Sequence, residues 1–177
     1  MEFPAGSILR ANPDAVRNDL VISDQFTFVI RFRAANDFTN NIFKASLLGS
    51  QGPKDRTLVK LIQTKGKMLF RSERWKQLTD TTLPWDKAQW GVVFMEWDAK
   101  SGTISLAASQ TGNEMTLSKP AKKKTPEKKT LISYEVGFPM IHEKRSLRSP
   151  IRVGELLVFS GTLSESERVT VQDTFSW

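Results

Sequence analysis

The sequence predicts an all-β sandwich in one domain, and three observations predict it. Apolar residues recur at every second position in one segment after another. Turn signals separate these segments at regular intervals. A convincing helix signal occurs once, at the C-terminus. At 177 residues the chain has the length of an ordinary domain and can bury a sizeable core. Eleven Phe and five Trp supply the bulk that two face-to-face sheets require.

Taken in order, the clearest strand is Phe26–Arg33, where Phe26, Phe28, Ile30 and Phe32 alternate with Thr27, Val29, Arg31 and Arg33. A helix would scatter those four apolar residues, whereas a strand puts them on one face. Thr57–Gln63 reads as a strand, and Lys67–Ser72 follows the turn signal Lys65-Gly66, which predicts a hairpin. Gln89–Trp97 is a nearly continuous apolar run, as in a strand covered on both faces or central in its sheet. Asp98–Gly102 is a turn, and Thr103–Ser109 returns as a strand with Ile104, Leu106 and Ala108 on one face. Asn113–Ser118, Leu131–Val136 and Ile151–Phe159 complete the set, while 10–20 and 139–150 read as irregular. Residues 164–176 carry the helix: Ser164 and Glu167 have capping-box spacing, and Val171 and Phe175 fall four apart on one face.

Composition excludes several chemistries. With no cysteine there is no disulfide scaffold, thiolate metal site or Cys nucleophile. The single histidine, His142, lies among Lys144, Arg145 and Arg148 and reads as a surface residue, not a ligand or base. No stretch approaches the roughly 20 apolar residues of a membrane span, and the N-terminus lacks a signal-peptide pattern. The net charge of +7 is concentrated in residues 119–130, which hold six Lys and one Glu. Two Pro and no large apolar residue make that segment an exposed loop. Its lysines, Lys122, Lys123, Lys124, Lys128 and Lys129, are candidates for contact with an anionic or acidic partner surface. Because the excess sits in one loop, it does not indicate a specific nucleic-acid interface.

The segment 151–168 (IRVGELLVFSGTLSESER) resembles the closing motif of concanavalin A-like, laminin-G-like jelly rolls. There a strand of the type G-x-[IL]-x-x-[VIL]-x-[VIL]-[YF] leads through a turn to Leu-Ser-x-x-Glu-Arg and a short helix. Gly154, Leu156, Val158 and Phe159 match the strand, and Leu163, Ser164, Glu167 and Arg168 match the helix start. The aromatic strand Phe26–Phe32, and Trp90-x-Val-Val-Phe followed by Asp98-x-x-Ser-Gly102, are also similar to the family. The resemblance covers about residues 20–177 and implies two antiparallel sheets with one short C-terminal helix. After Gly102 many relatives have a tight leucine-tyrosine-valine-asparagine-glycine hairpin, which this chain replaces with 103–112 (TISLAASQTG).

The family hosts lectins, glucanases, adhesion domains and virion proteins, so the sites are weighed separately. Its glucanases use a strand of the pattern E-x-D-x-E, whose alternate carboxylates point the same way about 6.6 Å apart. Glu96 and Asp98 fit the first two positions, but Lys100 occupies the third, where such enzymes carry the acid/base. A strand-end Glu96 and a turn-starting Asp98 therefore read better than a catalytic pair, and no catalytic residue is expected. For glycan binding, a sugar's apolar C–H face stacks on exposed aromatics beside polar groups. Trp75 among charged neighbours, Trp85 followed by Asp86 after Pro84, and Trp97 are the candidates; the alternative for each Trp is core or sheet-edge packing. The resemblance admits Ca²⁺, but Asp37, Asp55, Asp80, Asp86 and Asp98 are scattered and form no D-x-D-x-[DN]-G run. No metal or other cofactor is expected.

Three function classes follow. The favoured expectation is a non-enzymatic structural or attachment protein of a virion, in capsid decoration or a tail or fibre of a bacteriophage. It would be made in the host cytoplasm and bound to other subunits of a larger assembly, with an oligomer compatible with that role. A chain from Met1 to Trp177 with no export signal, no Cys and no catalytic set motivates it. The second is a carbohydrate-binding module or lectin, which is compatible with the first through surface glycans. The third, a glycoside hydrolase, is disfavoured by Lys100.

Overall fold

The computed structural model describes residues 2–3, 9–10, 21–22, 25–34, 40–47, 57–64, 67–71, 81–84, 86, 89–98, 101, 103–110, 113–120, 130–136 and 151–175. The strands are β1 (Glu2–Phe3), β2 (Leu9–Arg10), β3 (Val21–Ile22), β4 (Gln25–Ala34), β5 (Asn40–Leu47), β6 (Thr57–Thr64) and β7 (Lys67–Arg71). They continue as β8 (Thr81–Pro84), β9 (Gly91–Asp98), β10 (Thr103–Gln110), β11 (Asn113–Pro120), β12 (Thr130–Val136) and β13 (Ile151–Phe159). Helix α1 is Glu165–Thr174. One sheet runs β1-β13-β4-β9-β10-β11, and the other runs β2-β12-β5-β6-β7-β8 with β3 also paired to β12. The pairings are antiparallel throughout.

The inner face of the first sheet carries the alternating residues expected of it. Phe26, Phe28, Ile30 and Phe32 are buried, in register with Trp97, Met95, Val93 and Gly91 of β9. Phe28 meets Phe43 of the other sheet at 5.1 Å between ring centroids, so this row joins the two sheets. Strand β9 lies between β4 and β10, and residues 91–96 are all buried, as a two-sided apolar run requires.

The opposite face of β4 departs from simple alternation. Thr27, Val29 and Arg31 are buried as well. For Val29 the cause is α1, which returns over this outer face, whereas Arg31 is packed against Trp90 and Gly154. Phe175, Val171 and Leu163 pack with Val29, Val92, Phe94 and Ala107, and Leu157 and Phe159 of β13 complete the cluster. The sheet is thus sandwiched on both sides near its centre.

Several strands escaped the period-two reading. In β5 a register shift between Asn41 and Phe43 leaves Ile42 as an extra residue, so Ile42 and Phe43 are both buried. Strands β1, β2 and β3 have two residues each, too few to show a period. Arg10 belongs to β2 and not to an irregular segment; the rest of 11–20 and 139–150 lies outside the described residues. The lysine-rich stretch is shorter as a connection than 119–130, because Lys119 and Pro120 end β11 and Thr130 starts β12. Pro120 is tolerated because β11 is an edge strand.

The helix starts as its sequence predicts. Ser164 is the N-cap, its Oγ accepts from the Glu167 amide at 3.3 Å, and the Ser164 amide donates to Glu167 Oε2 at 2.7 Å. It ends at Thr174, with Phe175 as C-cap turned into the outer-face cluster. Hydrogen bonds from the Ser164 amide and then the Ser164 hydroxyl hold the Glu167 carboxyl below its ordinary 4.5. A lowered folded-state value stabilises the fold above the unfolded value and loses that contribution as pH falls through the folded one. Urea denaturation should therefore show Glu167→Gln less stable than the parent at neutral pH. The gap should close as pH falls well below 4.5, and a gap independent of pH would contradict the capping role.

Candidate functional site

The outer face of the first sheet holds two polar clusters, one beneath α1 and one beyond it. The first centres on Glu96. Cross-strand register places Glu96 of β9 between Thr27 of β4 and Ser105 of β10. It is 4% exposed. Ser105 Oγ donates to Oε2 at 3.0 Å, and the Leu163 amide donates to Oε1 at 3.1 Å. Arg168 of α1 forms an ion pair with Oε2 through Nη2. Thr27 Oγ1 lies 3.4 Å from Oε1, but it donates its single proton to the Gly161 carbonyl, 2.7 Å away.

This arrangement answers the catalytic reading residue by residue. Glu96 lies within a strand and not at its end. Its carboxylate is engaged by a hydroxyl, an amide and the guanidinium of a helix residue. Asp98 is the last residue of β9, in register with Gln25 and Thr103, at the mouth of the turn. Glu96 and Arg168 are thus a pair that joins helix to sheet. The Glu-Arg of the closing motif divides its work: Glu167 caps the helix, and Arg168 reaches the sheet.

The second cluster begins at the row of Val92, the register partner of Arg31, and runs toward the exposed Arg33 and Arg152. Arg31 projects from the same face as Val29 and stacks its guanidinium on Trp90, 4.6 Å from the ring centroid. Its Nη1 lies 3.4 Å from Glu155 Oε2. Strand β13 bulges at Gly154-Glu155, between Val153 and Leu156. Gly154 lies directly against the Arg31 side chain: a Cβ there would stand 3.4 Å from its Cδ and Nη1, at ordinary contact distance. Farther along, Arg33 and Arg152 are register partners on adjacent strands, and both are exposed. Trp90 is half-buried at the end of a short loop that Gln110 braces. Gln110 Oε1 accepts from the Asp86 amide at 2.7 Å, and its Nε2 donates to the Asp86 carbonyl at 2.8 Å and the Gln89 carbonyl at 3.4 Å.

Of the residues predicted for glycan contact, Asp86 is exposed in this braced loop. Trp75 and Trp85 lie outside the described residues, as do Lys122, Lys123, Lys124, Lys128 and Lys129. The backbone of Trp97 sits between Phe26 and Ile104, on the row whose β4 member faces the core. The sequence gives Arg31, Arg33 and Arg152 no functional reading, and Trp90 enters there only as part of a fold motif. The available signal was two arginines at alternate positions on the non-core side of β4. Among the described residues, no group of three or more His, Cys, Asp or Glu is placed to hold a metal ion.

No protein-family model matches the chain, and no curated protein matches it. Solved structures do. A heptameric pentraxin from Limulus polyphemus is similar over 96% of this chain and 75% of its own, with a TM-score of 0.59 and 16% identity. The binding domain of botulinum neurotoxin serotype D/C is similar over 99% of this chain and 43% of its own, with a TM-score of 0.62 and 11% identity. A Trypanosoma rangeli sialidase is similar over 84% of this chain and 23% of its own, with a TM-score of 0.56 and 16% identity. The chain therefore spans about a quarter of the sialidase. These likenesses and the two antiparallel sheets make the fold a concanavalin A-like jelly-roll β-sandwich with one short C-terminal helix.

Glu96→Gln should strand the Arg168 charge beneath the helix and destabilise the protein by about 3–5 kcal/mol. At about 2–4 °C per kcal/mol for a chain of this size, thermal denaturation would detect it easily. Adding Arg168→Met to that variant should recover part of the loss, because no unpaired charge is then buried. An unchanged melting temperature in Glu96→Gln would refute the latch.

Proposed function

We propose that the chain is a non-enzymatic, carbohydrate-binding jelly roll that acts in attachment. The observation that carries this reading is Trp90. It is a half-exposed aromatic ring, fixed by Arg31 on a part of the sheet that α1 leaves open, beside a loop bearing the exposed Asp86. A ring held flat among polar groups suits the apolar face and hydroxyl rim of a sugar. The commitment of Glu96 to Arg168 supports the non-enzymatic half. The named activity of the sialidase belongs to a chain about four times longer and is not carried over. The closing motif around Gly154 and Leu163–Arg168 further supports a place in the laminin-G-like branch of the fold.

The finer part of the proposal is a place in a virion, as a capsid or tail component bound to other subunits. The absence of cysteine and the lysine-rich stretch support it: six like charges in a short segment favour an acidic partner surface. Mass spectrometry of purified particles tests it directly, and absence of the chain from them would overturn it. Replacing Lys122, Lys123 and Lys124 with Ser should weaken retention in the assembly, and added salt should do the same to the parent. Equal retention by variant and parent at low and high salt would assign the stretch no docking role.

A glycan array probed with the purified chain tests the carbohydrate reading. Binding to a defined set of glycans is expected, with Trp90→Ala weakening it at least about tenfold, or about 1.4 kcal/mol. Binding unaffected by that change would move the site elsewhere on the sandwich. Turnover of β-glucans abolished by Glu96→Gln would overturn the non-enzymatic reading.

A further inference from the structure

We infer that the edge of β13 pairs with the same edge of a second copy of this chain, joining two six-stranded sheets into one. The inference goes beyond the carbohydrate reading and does not depend on it. A sheet edge presents backbone N–H and C=O groups without strand partners, and proteins blunt such edges with short strands, charged side chains or proline. Among the described residues, three of the four edges of this sandwich are blunted in these ways. Strand β11 carries Glu114, Lys119 and Pro120. Strand β8 has four residues and ends in Pro84. Strands β2 and β3, which lie against β12, have two residues each.

The fourth edge is different. Strand β1 pairs with β13 at Ile151 and Arg152, and its antiparallel register carries the chain away from residues 154–159. From Leu156 to Phe159, β13 has β4 on one side and, among the described residues, no strand on the other. These four residues, Leu-Leu-Val-Phe, include neither a charge nor a proline.

Burial marks the same boundary. Ile151 and Val153 are buried, whereas Glu155–Phe159 are half-buried at all five positions. Leu156 and Val158 stand beside Ile30 and Phe28 on the inner face, and both neighbours are fully buried. Leu157 and Phe159 stand beside Val29 and Thr27 on the outer face, again fully buried. Residues of both faces thus lose cover together, while their β4 partners lose none. The exposure therefore comes from the side, along the edge, and not from above or below the sheet.

The stretch is complementary to itself. A two-fold axis perpendicular to the sheet at Leu157 sets Leu157 opposite its own copy and Leu156 opposite Val158 of the second copy. Residues facing each other across an antiparallel pair share one face, so this register keeps inner beside inner and outer beside outer. A partner strand here must be apolar on both faces, as this strand already is, and a two-fold contact closes after two copies. The axis also turns both outer faces to one side, and with them the open corner around Trp90 of each copy. On the carbohydrate reading, two such corners meet one glycan-bearing surface together and gain avidity.

Sedimentation equilibrium of the full chain tests the inference with no glycan present, so an empty glycan array leaves it untouched. The mass should rise with concentration to twice that of one chain. A single-chain mass up to the solubility limit, or a stable complex with a chain of another sequence in place of the dimer, overturns the inference. Because the chain has no cysteine, Leu157→Cys places one thiol at the axis. Facing Cβ atoms there are about 4.5–5.5 Å apart, and mild oxidation should yield a covalent dimer. Val169→Cys, on the exposed side of α1, should not. No covalent dimer from Leu157→Cys, or an equal yield from Val169→Cys, overturns the edge as the interface. Leu157→Lys sets two like charges opposite each other and should weaken association at least about tenfold, with circular dichroism unchanged. Undiminished association of that variant when folded also overturns the inference. Leu157 touches the cluster under α1, so if the Lys variant fails to fold the two cysteine variants decide.

Discussion

The structure depends on one buried ion pair. Glu96 follows the buried run Gly91–Met95 of its strand and is itself 4% exposed, and a lone carboxylate there would be costly to bury. Arg168 neutralises it, and the Leu163 amide and Ser105 hydroxyl satisfy its remaining lone pairs. The pair does more than balance charge. It specifies where α1 lands, because Leu163 and Arg168 approach the same carboxylate from the two ends of the helix's first turn. An apolar contact in its place can match it in energy but does not distinguish one helix register from the next.

Docking of α1 then divides the outer face of the first sheet. Near Phe94 the face becomes a second apolar core, closed by Val171 and Phe175. Beyond Val92 it stays open, and the side chains change character accordingly. Arg31 marks the boundary: its stem is buried while its guanidinium lies on Trp90 and reaches Glu155. The open corner is therefore a consequence of helix length. Ten residues span about 15 Å, enough to cover part of the sheet and not all of it.

Much of this was legible in the sequence, and the reason differs from element to element. Strand β4 was legible because a regular pleat turns period two directly into one buried face. The β6–β7 hairpin was legible because Lys65-Gly66 admits a two-residue turn, and Thr64 does pair with Lys67. The start of α1 was legible because capping is a local interaction among Ser164, Glu167 and the backbone between them. Strand β5 was not legible: its bulge at Ile42 breaks the period, and a bulge depends on the partner strand as well as on the bulged one. The candidate site fared less well. Arg31 and Arg33 looked like the solvent side of a strand, and Trp90 looked like core within an apolar run.

By itself the sequence determined the strand-rich class, the face each residue of β4 takes, the capped C-terminal helix and the absence of cysteine chemistry. These follow from local geometry and composition, which need no knowledge of distant residues. Only the tertiary structure decided that Glu96 pairs with Arg168, 72 positions away. Only it brought Arg33 opposite Arg152 and laid Arg31 over Trp90. Those relations are set by strand order and by the place where α1 docks. Both arise from long-range packing, which leaves no periodic trace in the chain.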